Sequence, residues 1–244
     1  MFEECSVNGK FAQSGLKNGT DKMEMHRYYH YYPQYVERYR NIKNFAMLEI
    51  GILFYSSINT WLEYLPECYV YGTDIVPKES YGKFKSLICD QSNINHLENV
   101  VKSVDSEHKV YFILDDGIHI PEYQIFSFNY LFEHLLQPGG CFIIEDIETS
   151  YWKRGQLLDY VPNYGYRHKN SAIEKFKNLV EEVNYLYLSD DAKVEQNILT
   201  KDFSENVKKM ISSISFGQNC IIVMKKTEEE MTRNRDDYFY KTNL

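Results

Sequence analysis

Residues 111–124 read YFILDDGIHIPEYQ, an apolar run that stops at Asp115 and Asp116 and is followed by a glycine and His119. The run is typical of a buried strand, and two carboxylates beside a hydrophobic core are costly unless a cation compensates them. A helix N-terminus with acids in its first turn would explain the same residues without any ligand. The residues at the ends of the neighbouring predicted strands decide between these two explanations.

Apolar runs alternate with amphipathic stretches on both sides of residues 111–124. We predict strands over residues 45–52, 68–75, 86–91, 109–116 and 140–147, with helices over 57–65, 78–84, 92–104 and 121–136. Further on, the pattern predicts a helix that runs into a possible strand (171–188), a helix over ENVKKMISSISF (205–216) and a final strand (218–226). This alternation indicates an α/β fold with a doubly wound, mostly parallel, Rossmann-like sheet.

The chain is expected to form one domain over residues 1–244. We divide it into a short N-terminal helical segment that caps the cofactor and substrate sites (1–44), a Rossmann-like core (45–226) and a charged tail (227–244). A loop rich in tyrosine, proline and glycine (150–170) is a candidate lid over the site.

Composition excludes several classes of function. The net charge of −8 gives no bulk attraction to nucleic acid. No run approaches the roughly 18 apolar residues of a membrane span, and the first 22 residues contain no signal-peptide core. The five cysteines are scattered and contain no CxxC pair, which is typical of reduced thiols. We therefore expect a cytoplasmic protein that does not bind nucleic acid and does not span a membrane.

Carboxylates follow every one of the five predicted strands before residue 150. In an open parallel sheet the carboxyl ends of the strands meet at one edge, which is where ligands bind. The residues are Glu49, Asp74, Asp90, Asp115, Asp116, Glu145 and Asp146.

The first two strands have the features of a nucleoside site. LEIG (48–51) supplies a glycine at which the backbone turns closely around a ligand, and Asp74 in YGTDI (71–75) is placed to accept ribose hydroxyls. The chain lacks both GxGxxG and the P-loop GxxxxGK, which argues against a dinucleotide and against ATP. A nucleoside without phosphates, S-adenosylmethionine, fits better.

The ends of the fourth and fifth predicted strands predict a metal site. Asp116, Glu145 and Asp146 offer three hard oxygen ligands, which suit Mg²⁺. His119, about one turn beyond Asp116, is placed to act as a general base. The segment NGTDKMEMHRYYHYY (18–32) is open to two interpretations: a ligand-binding segment, or a capped helix with a tyrosine-rich face.

In this order, GTDK, LEIG, the acid after the second strand, DQS, DDGxH, PGG and IEDxxTSYW resemble the metal-dependent sugar O-methyltransferases of macrolide biosynthesis, the mycinamicin and tylosin type. The resemblance covers roughly residues 18–152, with a weaker similarity in ISFGQNCIIVMKK, and it shares motifs with the related cephalosporin-hydroxylase-like group. The family's large N-terminal extension has no counterpart here. A homo-oligomer is compatible with the sequence, but its mode of assembly is not carried over.

The resemblance implies a class I methyltransferase fold that binds S-adenosylmethionine and Mg²⁺. It implies Asp116, Glu145 and Asp146 as metal ligands and His119 as the base. The residues that we assign to the cofactor site are Lys22, Glu49, Gly51, Ser57, Asp74, Asp90, Gln91 and Asp115. Tyr55 and Ser56 stand where the family has glycines, so an intact pocket requires the Tyr55 side chain to point away from the cofactor.

The expected reaction is methylation of a sugar hydroxyl, with His119 removing the proton. The acceptor is a nucleotide-linked sugar, a surface glycan of polysaccharide biosynthesis or a glycosylated natural product. Tyr151, Trp152 and Tyr160 are assigned as the wall that contacts the sugar. Two alternatives stay open: methylation of an amide or a phosphorus-linked oxygen, and a non-catalytic or hydroxylase-like relative with an altered cofactor pocket.

Overall fold

The computed structural model describes residues 3–153 and 163–232. Seven strands form one sheet in the order β3-β2-β1-β4-β5-β7-β6. Strands β1 to β5 are mutually parallel, whereas β7 pairs antiparallel with β5 and with β6. The strands are β1 (Phe45–Ile50), β2 (Tyr69–Asp74), β3 (Phe84–Ile88), β4 (Lys109–Asp115), β5 (Cys141–Glu145), β6 (Ile211–Gly217) and β7 (Cys220–Lys225).

Ten α-helices surround the sheet in the described residues. They are α1 (Lys10–Asn18), α2 (Asp21–Glu24), α3 (Tyr32–Val36), α4 (Ser56–Tyr64), α5 (Ile94–Ser103), α6 (Pro121–His134), α7 (Ala172–Val183), α8 (Asp190–Leu199), α9 (Glu205–Met210) and α10 (Glu228–Thr232). Short 3₁₀ turns cover Tyr28–His30, Glu37–Tyr39, Ile147–Tyr151 and Tyr185–Tyr187. Within residues 3–153 and 163–232, no helix is both long and apolar enough to cross a membrane.

The core lies in two layers, one on each face of the sheet. Successive residues of a strand point to opposite faces, so Ala46 and Leu48 of β1 pack with α5, α6 and α7, whereas Phe45 and Met47 pack with α1, α3 and α4. Both faces of the central strands are covered, which is why these strands read as continuous apolar runs. The predicted doubly wound α/β fold is confirmed.

Two predicted helices are wrong. Residues 78–84 form an irregular connection, because Pro77 and Gly82 leave too short a segment for a helix, and Phe84 begins β3. The segment 205–216 is helical only to Met210. Its remainder is β6, which pairs with β7 through a hairpin at Asn219, where φ is +59°.

Two smaller differences concern the region after residue 171. The expected strand near residue 188 is replaced by the 3₁₀ turn Tyr185–Tyr187. Helix α8 was not predicted, because its apolar residues are few and Val194 and Ile198 lie exposed at 64% and 65%.

Candidate active site

The carboxyl edge of the parallel strands collects the acids that the sequence singles out. Glu49, Asp74, Asp115 and Glu145 lie at the ends of β1, β2, β4 and β5, and these four strands are neighbours in the sheet. The strand order therefore places the two acid pairs, Asp115–Asp116 and Glu145–Asp146, side by side. The structure thus brings together, as predicted, the sequence motifs DDGIH and IED.

Asp116, His119 and Asp146 form a group that could hold a metal ion. One ligand atom from each lies within 4.8 Å of the other two. The Nε2 atom of His119 is 3.7 Å from Oδ2 of Asp146 and 3.9 Å from Oδ1 of Asp116. All three side chains are partly exposed, so the group is accessible to a ligand. Mg²⁺ requires few carboxylates and keeps water or substrate in its other positions, so this donor set fits it.

Two residues of this group have backbone conformations that side chains rarely adopt. The φ angle is +55° at His119 and +51° at Asp146. Such conformations cost of order 1–3 kcal/mol each and persist only where the surroundings hold them. Thr149 helps to hold the first, because its hydroxyl donates to the carbonyl of His119 at 2.7 Å.

Glu145 is placed differently from the expectation that it is a metal ligand. Its carboxylate is buried and lies outside the group of three. Oε2 is 2.6 Å from Nζ of Lys22, and Oε1 accepts a short hydrogen bond from the hydroxyl of Tyr32. Burial raises the pKa of Glu145 well above its usual value, although Lys22 opposes this.

Lys22, assigned from the sequence to the cofactor, is instead ion-paired with three acids. Its Nζ is 2.5 Å from Oδ2 of Asp116, 2.6 Å from Glu145 and 3.8 Å from Oε1 of Glu49. The side chain is 1% exposed. Burial opposes its charge, but the three carboxylates outweigh burial and hold the pKa of Lys22 well above its usual value. Lys22 therefore supplies a buried positive charge to this edge.

Asp146 is held by residues from both ends of the described chain. Its Oδ1 accepts hydrogen bonds from the hydroxyl of Tyr28 at 2.7 Å and from Nδ2 of Asn219 at 3.0 Å. Nδ1 of His26 is 3.5 Å from the same oxygen. The rings of His26, Tyr28 and Tyr32 are stacked on one another. Sequence reasoning missed Asn219, although its position between β6 and β7 is typical of a hairpin turn residue.

The segment 18–32, which the sequence left open, is therefore both helical and directed at the site. Its short helix α2 and the 3₁₀ turn Tyr28–His30 carry Lys22, His26 and Tyr28 to the acids. The tyrosine-rich face is the face that points inward. Burial and the nearby carboxylates raise the pKa of Tyr28, so its hydroxyl keeps its proton and donates it.

Glu49 and Gly51 mark the candidate cofactor position. Neither oxygen of Glu49 has a well-formed hydrogen bond among the described residues, although the Ser57 hydroxyl lies nearby and Lys22 is in ion-pair range. Burial raises the pKa of Glu49 to about 7. Gly51 has φ +91°, and a Cβ there would lie 2.1 Å from the carbonyl oxygen of Asp116. Gly51 is therefore required by the close approach of the protein's own backbone at Asp116, whereas the unsatisfied oxygens of Glu49 fit a polar ligand at this position.

Asp74 and Asp90 are bonded to their own turns. Asp74 accepts from the backbone N–H groups of Leu53 at 3.2 Å and Val76 at 2.9 Å, and Nζ of Lys78 is 3.7 Å away. Asp90 accepts from the N–H and the hydroxyl of Ser92, and these bonds lower its pKa. Both carboxylates lie at the expected edge but have protein partners.

Gln91 and Asp115 lie behind the site rather than in it. Asp115 is fully buried, accepts from Nε2 of Gln91 at 3.2 Å and from the Ser127 hydroxyl at 2.8 Å, and burial raises its pKa to about 6. Oε1 of Gln91 accepts from the N–H of Ile118 at 2.9 Å. A Cβ at Gly117 would lie 1.9 Å from that oxygen. These two residues therefore fix the loop that carries Asp116 and His119.

The Tyr55 side chain, which the sequence singles out, is held by contacts within the protein. Its hydroxyl accepts from the N–H of Glu79 at 2.9 Å, and its ring lies edge-on against Phe84 at 6.0 Å. The side chain thus packs on the β2–β3 connection. The backbone at Tyr55 has φ +65°, the left-handed conformation that a glycine would adopt without strain.

The structure describes two of the three residues that the sequence assigns to the substrate. Tyr151 is 49% exposed at the end of the 3₁₀ turn that follows Asp146. Trp152 is half-buried, and its carbonyl accepts from the N–H of Tyr166 at 3.0 Å. Tyr160 lies outside the described residues.

Comparisons with known proteins agree with this geometry. No protein-family model matches the chain. The chain is 30% identical to the 8-demethyl-8-alpha-L-rhamnosyl tetracenomycin-C 2'-O-methyltransferase of Streptomyces olivaceus, over 58% of this chain and 38% of that protein. It is also 30% identical to the demethylmacrocin O-methyltransferase of Streptomyces fradiae, over 69% of this chain and 42% of that protein. The chain thus spans less than half the length of these relatives.

Among solved structures, the chain is similar to MycE, a methyltransferase of the mycinamycin biosynthetic pathway in complex with Mg, SAH and mycinamycin VI. The TM-score is 0.73 at 22% identity, over 89% of this chain and 54% of that one. The fold is therefore that of the class I methyltransferases. Within that class, the chain is homologous to the sugar O-methyltransferases of macrolide and tetracenomycin biosynthesis, which confirms the family resemblance.

Proposed function

We propose that the chain is an O-methyltransferase that uses S-adenosylmethionine and Mg²⁺ to methylate a sugar hydroxyl. One observation carries the proposal: Asp116, His119 and Asp146 converge at the carboxyl edge of the sheet beside Glu49. The two relatives described above are both O-methyltransferases, and the tetracenomycin relative is a 2'-O-methyltransferase of a rhamnosyl derivative, which supports the same reaction. A glycosylated small molecule is the acceptor class that these names favour.

Asp116 and Asp146 are the proposed metal ligands, through the oxygens that face His119. Glu145 remains a candidate ligand only if Lys22 and Tyr32 release it. A divalent cation held there would act as a Lewis acid that lowers the pKa of the sugar hydroxyl. Nε2 of His119 then accepts the hydroxyl proton.

Glu49, Gly51 and Ser57 are proposed to hold the amino-acid part of S-adenosylmethionine, and Asp74 its ribose. S-adenosylmethionine supplies the methyl group, so that a new C–O bond forms as the S–CH₃ bond breaks. The Tyr55 side chain packs on the β2–β3 connection, and the proposal requires that it leave the pocket open. Tyr151 and Trp152 are proposed to contact the sugar. The predictions of one domain, a cytoplasmic location and a homo-oligomer stay predictions.

Calorimetric titration of S-adenosylhomocysteine into the purified chain, with and without Mg²⁺, tests the proposal. We expect micromolar binding, and methyl transfer to a glycoside acceptor that stops in excess EDTA. Absence of binding would remove the methyltransferase proposal, and full activity in EDTA would remove the metal from it. Transfer to an amide or to a phosphorus-linked oxygen, with no transfer to sugars, would replace the acceptor class.

A further inference from the structure

Each of the two proposed ligand aspartates has one oxygen occupied by protein donors and one oxygen that faces His119. In Asp116, Oδ2 is bound by Lys22 and Oδ1 faces the imidazole. In Asp146, Oδ1 accepts from Tyr28 and Asn219, and Oδ2 faces the imidazole at 3.7 Å. The two aspartates therefore present single oxygens toward a common point.

The two donors to Asp146 lie far apart in the sequence but contact each other, because the Tyr28 hydroxyl also lies 3.2 Å from the carbonyl oxygen of Asn219. Tyr28 is fully buried, and its ring stacks on that of Tyr32 with centroids 5.1 Å apart and on that of His26 at 5.2 Å. Asn219 lies in the β6–β7 turn, where its φ of +59° directs the side chain from the last hairpin back to the site. Asp146 is therefore held from two parts of the fold, the N-terminal segment and the last hairpin.

Asp146 also needs restraint, because its backbone is in the left-handed conformation. The hydroxyl of Tyr28 accepts from the N–H of Asp146 at 3.3 Å while it donates to the carboxylate. The same tyrosine thus fixes both the backbone and the side chain of Asp146. Partners that orient a metal ligand in this way commonly change metal affinity by 10- to 100-fold when they are removed.

We propose that Tyr28 and Asn219 are positioning residues that restrict Asp146 to one metal-facing oxygen, Oδ2, and thereby set the affinity of the site for Mg²⁺. The inference rests on the proposed function, since it assumes that Asp146 is a metal ligand. It assigns to the N-terminal segment and to the last hairpin a shared role in the metal site.

The variants Tyr28→Phe and Asn219→Gly test this inference. Phenylalanine keeps the ring stack and removes only the hydroxyl, whereas glycine tolerates the positive φ and removes the whole Asn219 side chain, including its amide. Tyr29→Phe is the matched control, because the neighbouring Tyr29 ring packs on His30 at 4.4 Å. Mg²⁺ affinity is measured by calorimetry and S-adenosylhomocysteine affinity in parallel.

We expect Mg²⁺ to bind each variant 10- to 100-fold more weakly than the wild type, with S-adenosylhomocysteine affinity nearly unchanged. The melting temperature should fall by only a few degrees, because each variant loses hydrogen bonds but keeps the surrounding packing. Saturating Mg²⁺ should restore most of the turnover. If Mg²⁺ binds the wild type and both variants equally well, the inference is wrong. Parallel losses in Mg²⁺ affinity, nucleoside affinity and melting temperature would show a merely structural role. If the wild type itself binds no Mg²⁺, the metal part of the proposed function fails instead.

Discussion

Replacing Lys22 by methionine removes the buried positive charge of the candidate site and keeps most of the side-chain volume. In the wild type, Nζ of Lys22 is 2.5 Å from Asp116 and 2.6 Å from Glu145. Lys22 and Glu145 are each 1% exposed, so water cannot replace the lost partner. The variant leaves Glu145 and the equally buried Glu49 without their cation.

The expected loss at pH 7 is about 3–5 kcal/mol of unfolding free energy, the range for removing one partner of a buried ion pair. This is a large part of the roughly 5–15 kcal/mol that stabilises an ordinary domain. The pH dependence gives a second, sharper expectation. Burial raises the pKa of Glu49 to about 7, so this acid becomes neutral as the pH falls from 7 to 5. Burial raises the pKa of Glu145 as well. The loss should therefore shrink between pH 7 and pH 5.

Urea unfolding followed by circular dichroism, at several values between pH 5 and pH 8, measures both effects. Lys17→Met is the control: its ion pair with Glu63 is also short, at 3.0 Å, but Lys17 is 70% exposed. An exposed pair contributes about 1 kcal/mol or less. A loss below about 1 kcal/mol for Lys22→Met at pH 7, or a loss that does not diminish at pH 5, would refute this account of the charge.

Three further changes probe other parts of the site. His119→Ala should lower the rate of methyl transfer by about 10²- to 10⁴-fold and leave S-adenosylhomocysteine affinity intact; wild-type turnover would remove His119 as the base. Because burial raises the pKa of Glu49 to about 7, the protein loses stability as the pH rises from about 4.5 to 7. Glu49→Gln should remove about 3 kcal/mol of that pH-dependent fall in the free energy of unfolding, as measured by urea unfolding. An unchanged pH profile would contradict the raised pKa of Glu49. Gly51→Ala should cost at least about 2 kcal/mol in thermal unfolding, because its Cβ would lie 2.1 Å from a backbone oxygen. Gly82→Ala, with φ +54° and open space around it, should cost only about 1 kcal/mol; equal losses would exclude the steric explanation.

The sheet could be predicted because its strands are buried on both faces. Burial on both faces makes each strand a continuous apolar run, and the acids that end these runs are visible in the sequence. The errors lie where packing overrides local pattern. Residues 205–216 contain two isoleucines, Ile211 and Ile214, whose spacing of three is typical of a helix. Pairing with β7, with an irregular register between Ile211 and Ser213, makes Ile211–Gly217 a strand instead.

The site could be predicted as a set of residues but not as a set of contacts. Glu145 and Asp146 are adjacent in sequence and chemically alike, so the sequence does not indicate which carboxylate is buried. The difference arises from the positive φ at Asp146 and from the approach of Lys22, which is 123 residues away from Glu145 in the chain. No periodicity encodes a contact of that range.

Hydrogen-bond partners divide the strand-end acids into two groups with different roles. Asp90, Asp115 and Glu145 each bind donors of the protein itself, and therefore fix turns or carry buried charge. Asp74 also accepts from two backbone N–H groups, and the proposed ribose contact would share its oxygens with them. The oxygens that remain are those of Glu49 and the metal-facing oxygens of Asp116 and Asp146. Those remaining oxygens are the ones that an outside cation or a nucleoside would satisfy. The acids along the sequence thus have two roles. Some face a ligand, and others hold in place the loops that carry the ligand-facing acids.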